Sequence, residues 1–98
     1  MFLLLHKKMV NLQLYAWVIR GRQRTAILKA ITKPQTPTET CKKSKQYNEK
    51  VSLNNTSDIL REFVKQGLTV CLNVDAKVGR LYKLTEEGEA IRQELMKE

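Results

Sequence analysis

Histidine is almost missing from this chain: of 98 residues, only His6 carries an imidazole. A histidine general base or a histidine-activated nucleophile is therefore hard to build, and the chain reads as a non-enzyme. Glycine is scarce and scattered, at Gly21, Gly67, Gly79 and Gly88, so no Gly-rich loop is present to cradle a phosphate. The two cysteines, Cys41 and Cys71, lie far apart and outside any Cys-x-x-Cys pattern. They fit reduced thiols better than a disulfide scaffold. A metal site would have to combine Cys41, Cys71, His6 and carboxylates with no ligand-pair spacing, so no metal or other cofactor is expected. Long apolar runs are also missing. Phe2 to Leu5 stops at His6-Lys7-Lys8, too short for a membrane span or a signal peptide's apolar region. The expectation is a cytoplasmic, soluble protein with no membrane contact and no evident small-molecule effector.

What the chain does have is positive charge, unevenly placed. The formal net charge is +8, and residues 1–50 hold 11 Lys and Arg against only Glu39 and Glu49. The later half is near neutral, with its acids gathered between Glu86 and Glu98. A basic surface on one part of a small domain suits a polyanion such as a phosphate backbone; solubility is the plainer explanation. At this length one domain with one modest core is expected: residues 1–8 a flexible leader, with Met9 an equally good start, and residues 9–98 the folded unit.

The most informative stretch is Ser52 to Gly67. Leu53, Ile59, Leu60, Phe63 and Val64, with Thr56 between them, recur at helical spacing and predict one buried stripe. Asn54, Asn55, Ser57, Asp58, Arg61 and Lys65 occupy the other side. Ser52 or Asn54 can cap the start, and Gly67 can end the helix in a left-handed turn. Amides, hydroxyls and a cation near the start of a helix are chemistry that a major groove accepts, which makes this a candidate recognition helix. An ordinary amphipathic helix is the other reading of the segment taken alone.

The remaining elements follow in order. Leu12 to Ile19 offers both strand and helix periods and is read as a helix, with Tyr15 and Trp17 either closing the core or meeting a partner. Gln23 to Thr32 predicts a second helix with Ala26, Ile27, Ala30 and Ile31 inward, stopped by Lys33-Pro34. Thr36-Pro37-Thr38-Glu39 is a capping box opening a short helix that runs through Cys41, a small buried residue, to about Ser44. Lys42 to Lys50 is a polar, basic link. After Gly67, Leu68, Val70 and Leu72 predict one face of a strand; turn chemistry follows from Val74 to Gly79, and a second strand from Arg80 to Leu84. Together these make a hairpin with a basic tip. Thr85 caps a final helix whose first turn carries Glu86 and Glu87 and whose apolar side is Ala90, Ile91, Leu95 and Met96.

That order is mainly α with a small β-hairpin, a winged helix-turn-helix. Thr36-Pro37-Thr38-Glu39, Leu60 through Leu68, Cys71-Leu72-Asn73 and above all the run Gly79 to Gly88 resemble the small winged-helix transcriptional regulators of archaea, in the broad ArsR/MarR-like group. The similarity spans roughly residues 15–92. It implies sequence-specific binding of double-stranded DNA by a homodimer that regulates transcription. The helix of about residues 53–66 would enter the major groove, and the wing of about 74–80 would lie on the backbone or minor groove. On this resemblance Asn54, Asn55, Ser57 and Arg61 reach bases or phosphates, Thr36 and Thr38 meet a phosphate, and Lys77 and Arg80 act from the wing. Lys45 and Lys50 in the basic link complete the candidate DNA-binding set, and Leu12, Leu14, Trp17, Ile91 and Leu95 the candidate dimer contact.

The chain departs from the pattern in two places. The link before the recognition helix is longer than in the family, and Asp58 stands where a cation is common. A winged helix that binds protein or RNA is the alternative, since fold does not fix function.

Overall fold

A computed structural model describes residues 10–97; the leader, with His6 and Met9, and Glu98 lie outside the described residues. The described chain is mainly helical, with a small two-stranded antiparallel sheet. Its order is α1 (Leu12–Ile19), α2 (Arg22–Ala30), α3 (Pro37–Ser44), α4 (Leu53–Lys65), β1 (Thr69–Cys71), β2 (Tyr82–Leu84) and α5 (Glu86–Met96). No helix among the described residues is long and apolar enough to cross a membrane.

The element at the centre is α2. It packs against α1, α3, α4 and α5, and Ala26, Ile27, Leu28 and Ala30 are all buried. It spans Arg22–Ala30, not the expected Gln23 to Thr32, because Ile31 is already extended at φ −86° and ψ 99°. Arg92 on α5 closes its end by donating from Nε to the Lys29 carbonyl at 2.9 Å, which satisfies one of the carbonyls a helix end leaves free. Ile31, the first residue past the helix, still buries its side chain.

Every described helix start but that of α2, where Gly21 stands, is set by a short side-chain oxygen. Asn11 caps α1 by accepting from the Gln13 and Leu14 amides, Ser52 caps α4 through the Asn55 amide, and Thr85 caps α5 through the Gly88 amide. Thr36 and Glu39 form the full capping box of α3. The end of α4 is a Schellman turn. Gly67 sits at φ +81°, its N–H donates to Val64, and the Leu68 N–H donates to Phe63. Phe63 and Leu68, the pair that this motif brings together, are both fully buried.

Four expectations need correction. Leu53 and Val64 are 46% and 39% exposed, because both lie on a flank of α4, well off the line Thr56–Leu60–Phe63 that meets the core. Val51, just ahead of the helix, takes a core place instead. In the hairpin Val70 and Leu72 face outward, while Leu68 and Thr69 are buried. The turn at Gly67 inserts Leu68 into the core before the strand begins, so alternation starts from Thr69 and Leu68 does not share the face of Val70 and Leu72. Ile91 and Leu95, expected at a dimer contact, are buried in the protomer's own core at 0% and 2% exposure, because α5 turns that side toward α2. Met96, expected on the same side, is exposed.

Of the other candidate contact residues, Leu14 and Trp17 pack partly against the core, Trp17 edge-on to Phe63 with ring centroids 5.9 Å apart. Leu12 stays 75% exposed. Cys41 is buried, as expected, with its Sγ 3.9 Å from the Val51 carbonyl.

The sheet has one more paired position. Register pairs Thr69 with Leu84, Val70 with Lys83 and Cys71 with Tyr82, and Gln35 forms an isolated antiparallel bridge to Tyr82 on the far edge of β2. The residue just before the α3 cap is thereby sewn to the hairpin.

Candidate nucleic-acid interface

A groove with a volume of about 640 Å³ opens between the start of α3, the flank of α4 and the hairpin tip. Six of the candidate residues meet there: Thr36, Thr38, Ser57, Arg61, Lys77 and Arg80. Three are cations, and no Asp or Glu is among the described residues that line it. The tip is shaped by Gly79 at φ +70° and by Asn73, whose Oδ1 accepts from the Leu81 amide at 2.7 Å and whose Nδ2 donates to the Gly79 carbonyl at 3.2 Å. Arg80 donates from Nε to the Ala76 carbonyl at 2.8 Å, which holds its stem against the loop, while Lys77 is exposed.

On α4, Asn54, Asp58, Arg61 and Lys65 follow one another at helical spacing and are all exposed. They form the ridge opposite the buried line of Thr56, Leu60 and Phe63. Arg61 donates from Nη2 to Asp58 Oδ1 within this ridge. Ser57 stands on the flank facing the hairpin groove. Asn55 stands on the opposite flank, where its Nδ2 donates to Gln23 Oε1 on α2 at 2.9 Å. A sideways cross-helix bond holds that amide, whereas Asn54 faces away from the core.

Other candidates do not join the groove. Lys45 donates from Nζ to the Val51 carbonyl at 2.8 Å and braces the link between α3 and α4. Lys50 lies in a separate depression with Ile19, Arg22 and Tyr47. At the start of α3, the Thr36 N–H donates to Glu39 Oε1 at 2.9 Å and the Glu39 N–H donates to Thr36 Oγ1 at 3.2 Å. The Thr36 backbone N–H holds the Glu39 carboxyl below its ordinary value, helped by the Thr36 hydroxyl and the charges of Lys33 and Lys43, against a smaller upward push from desolvation.

Two groove residues carried no functional signal in the sequence. Leu53 looked like core and Val78 like turn filler, yet both line the groove, at 46% and 86% exposure. Nothing within their own segments marks them, since it is the hairpin folding back beside α4 that brings them together. Gln35 was equally silent. It is fully buried, its Oε1 accepts from the Thr32 amide and hydroxyl, and its Nε2 donates to Thr40 Oγ1 at 3.0 Å.

Compared with protein-family models, curated proteins and solved structures, the chain gives no match.

Proposed function

We propose that this chain is a winged helix-turn-helix protein of the archaeal regulator type that binds double-stranded DNA. α4 enters the major groove, and the hairpin is the wing, resting on the backbone or in the minor groove. The observation that carries the reading is the shared groove. Arg61 from α4 and Lys77 and Arg80 from the hairpin face one space beside an exposed ridge that begins with Asn54. Cations on two walls can neutralise phosphates while the ridge meets base edges, the division of labour that sequence-specific binding needs. The Gln35–Tyr82 bridge supports the fold part of the reading, since it ties α3 to the hairpin as a third, minimal strand would. As a regulator in the cytoplasm, the chain would act as a homodimer through α1, where Leu12 remains exposed, and not through Ile91 or Leu95.

Selection of bound duplexes from a random pool by the purified protein tests this. A two-fold-symmetric enriched site is expected, because operator symmetry mirrors that of a dimer. Binding should also weaken with salt, with a log–log slope of about −0.9 per phosphate neutralised. The exposed Leu53 and Val78 in the groove favour a second reading, the docking of a protein segment. Under that reading no duplex is enriched, and affinity for a protein partner falls when Leu53 or Val78 is cut to alanine while salt has little effect.

A further inference from the structure

We infer that Asp58 is a positioning residue for Arg61, and that the pair selects a guanine at one position of the bound duplex; this rests on the duplex-binding reading above. The two residues lie one turn apart on the exposed ridge of α4, and the Arg61 guanidinium donates from Nη2 to the Asp58 carboxylate. Their side chains are 56% and 65% exposed, so the ion pair is made in solvent, where such pairs add little to folding.

For binding a polyanion, a carboxylate here is a cost. Asp58 is the one acid on a ridge that otherwise carries Asn54, Arg61 and Lys65, next to a groove holding Lys77 and Arg80. Every phosphate that approaches is repelled by it.

The compensating effect falls on Arg61. An arginine free in solvent sweeps many rotamers and meets phosphates as readily as bases. With one nitrogen held by Asp58, the plane of the guanidinium is restricted and its remaining donors form a fork of defined direction. In the major groove guanine offers two acceptors, O6 and N7, that such a fork matches, whereas adenine sets an amino donor beside its N7. Asp58 therefore lowers affinity for all duplexes and sharpens the preference for one G·C pair. Lysine could not replace the arginine in this role, because its point charge has no fork.

The test uses the full chain, the duplex enriched from a random pool, every single-base-pair variant of that duplex, and an unrelated duplex of equal length. Asp58→Ala is expected to bind the unrelated duplex several-fold tighter than the wild type and to lose about tenfold discrimination at one G·C pair. Arg61→Lys, which keeps the charge and loses the fork, should lose the same discrimination. Asp58→Glu, which restores a carboxylate within reach of the guanidinium, should recover the preference. If Asp58→Ala tightens all binding and leaves the discrimination profile unchanged, Asp58 acts as a bare charge and the inference is overturned. If the wild type enriches no duplex and binds none at low salt, the duplex-binding reading falls first and this inference with it.

Discussion

Gln35 and Tyr82 exchange two backbone hydrogen bonds, the Gln35 N–H donating to the Tyr82 carbonyl at 3.0 Å and the Tyr82 N–H to the Gln35 carbonyl at 2.8 Å. Two walls of the groove, the start of α3 and the hairpin, are thereby joined at their bases. The Gln35 side chain locks the same point from inside: its Oε1 also accepts from Lys43 Nζ at 3.1 Å, beside its bonds to Thr32 and Thr40. Gln35→Ala removes a fully buried hub that bonds Thr32, Thr40 and Lys43. It should cost about 2–3 kcal/mol, read as a lower denaturant midpoint with an unchanged slope. A cost below about 0.5 kcal/mol would mean that water replaces the network without loss.

Gly88 lies in the first turn of α5, where glycine to alanine ordinarily stabilises a helix by about 1 kcal/mol. Here a Cβ would overlap the Leu68 carbonyl oxygen, which is backbone and accepts the Thr85 N–H. Gly88→Ala should therefore destabilise, by about 1–3 kcal/mol, as α5 is pushed from the hairpin. Thermal unfolding of the variant gives the sign directly.

Leu95 separates core packing from a partner contact. Leu95→Ala removes a side chain 2% exposed within the protomer and should cost about 2–5 kcal/mol. Because the cavity forms inside one chain, the loss should be the same at low and high protein concentration. A loss that grows on dilution would place Leu95 at a subunit contact after all.

The α3 capping box should respond to pH. Glu39 has its carboxyl held below the ordinary 4.5, first by the Thr36 backbone N–H. The folded state thus favours the carboxylate. Its contribution is complete above the ordinary value and is lost as pH falls through 4.5 and on past the depressed one. Unfolding measured from about pH 6 down to about pH 3 should show wild type losing stability relative to Glu39→Gln. Parallel curves would show that the box does not titrate.

If α4 enters a duplex as proposed, the position of each side chain on it should set the outcome. Asn54, on the exposed ridge, should give the larger relaxation of base preference, about 1–3 kcal/mol at one position for Asn54→Ala. Asn55→Ala should change that preference less, because the Asn55 amide is turned toward Gln23. Lys77→Ala should weaken all duplexes nearly equally and make the salt slope shallower by about one. Competition binding against the enriched duplex and its single-base variants ranks all three.

Much of the fold was readable along the chain. The capping box at Thr36 and Glu39, the caps Ser52 and Thr85, and the left-handed turn at Gly67 all stand where local chemistry put them. A cap is decided by residues within one turn of each other, so a linear reading contains every participant. The Thr56–Leu60–Phe63 line of α4 was legible for a related reason: helical periodicity repeats within the segment itself.

Other features needed distant partners. That Val70 and Leu72 face outward depends on how the Gly67 turn aims β1 relative to α4, and that Ile91 and Leu95 are core depends on α2 lying beneath them. Lys45 looked like one more surface cation until the Val51 carbonyl came within reach, and Asn55 like a free amide until Gln23 did. Composition and local spacing therefore established the elements, the caps that start several helices and the basic character of the chain. Packing between segments far apart in the chain chose which of the candidate side chains share one groove, because burial and orientation are properties of pairs of elements, and a single segment holds only one member of each pair.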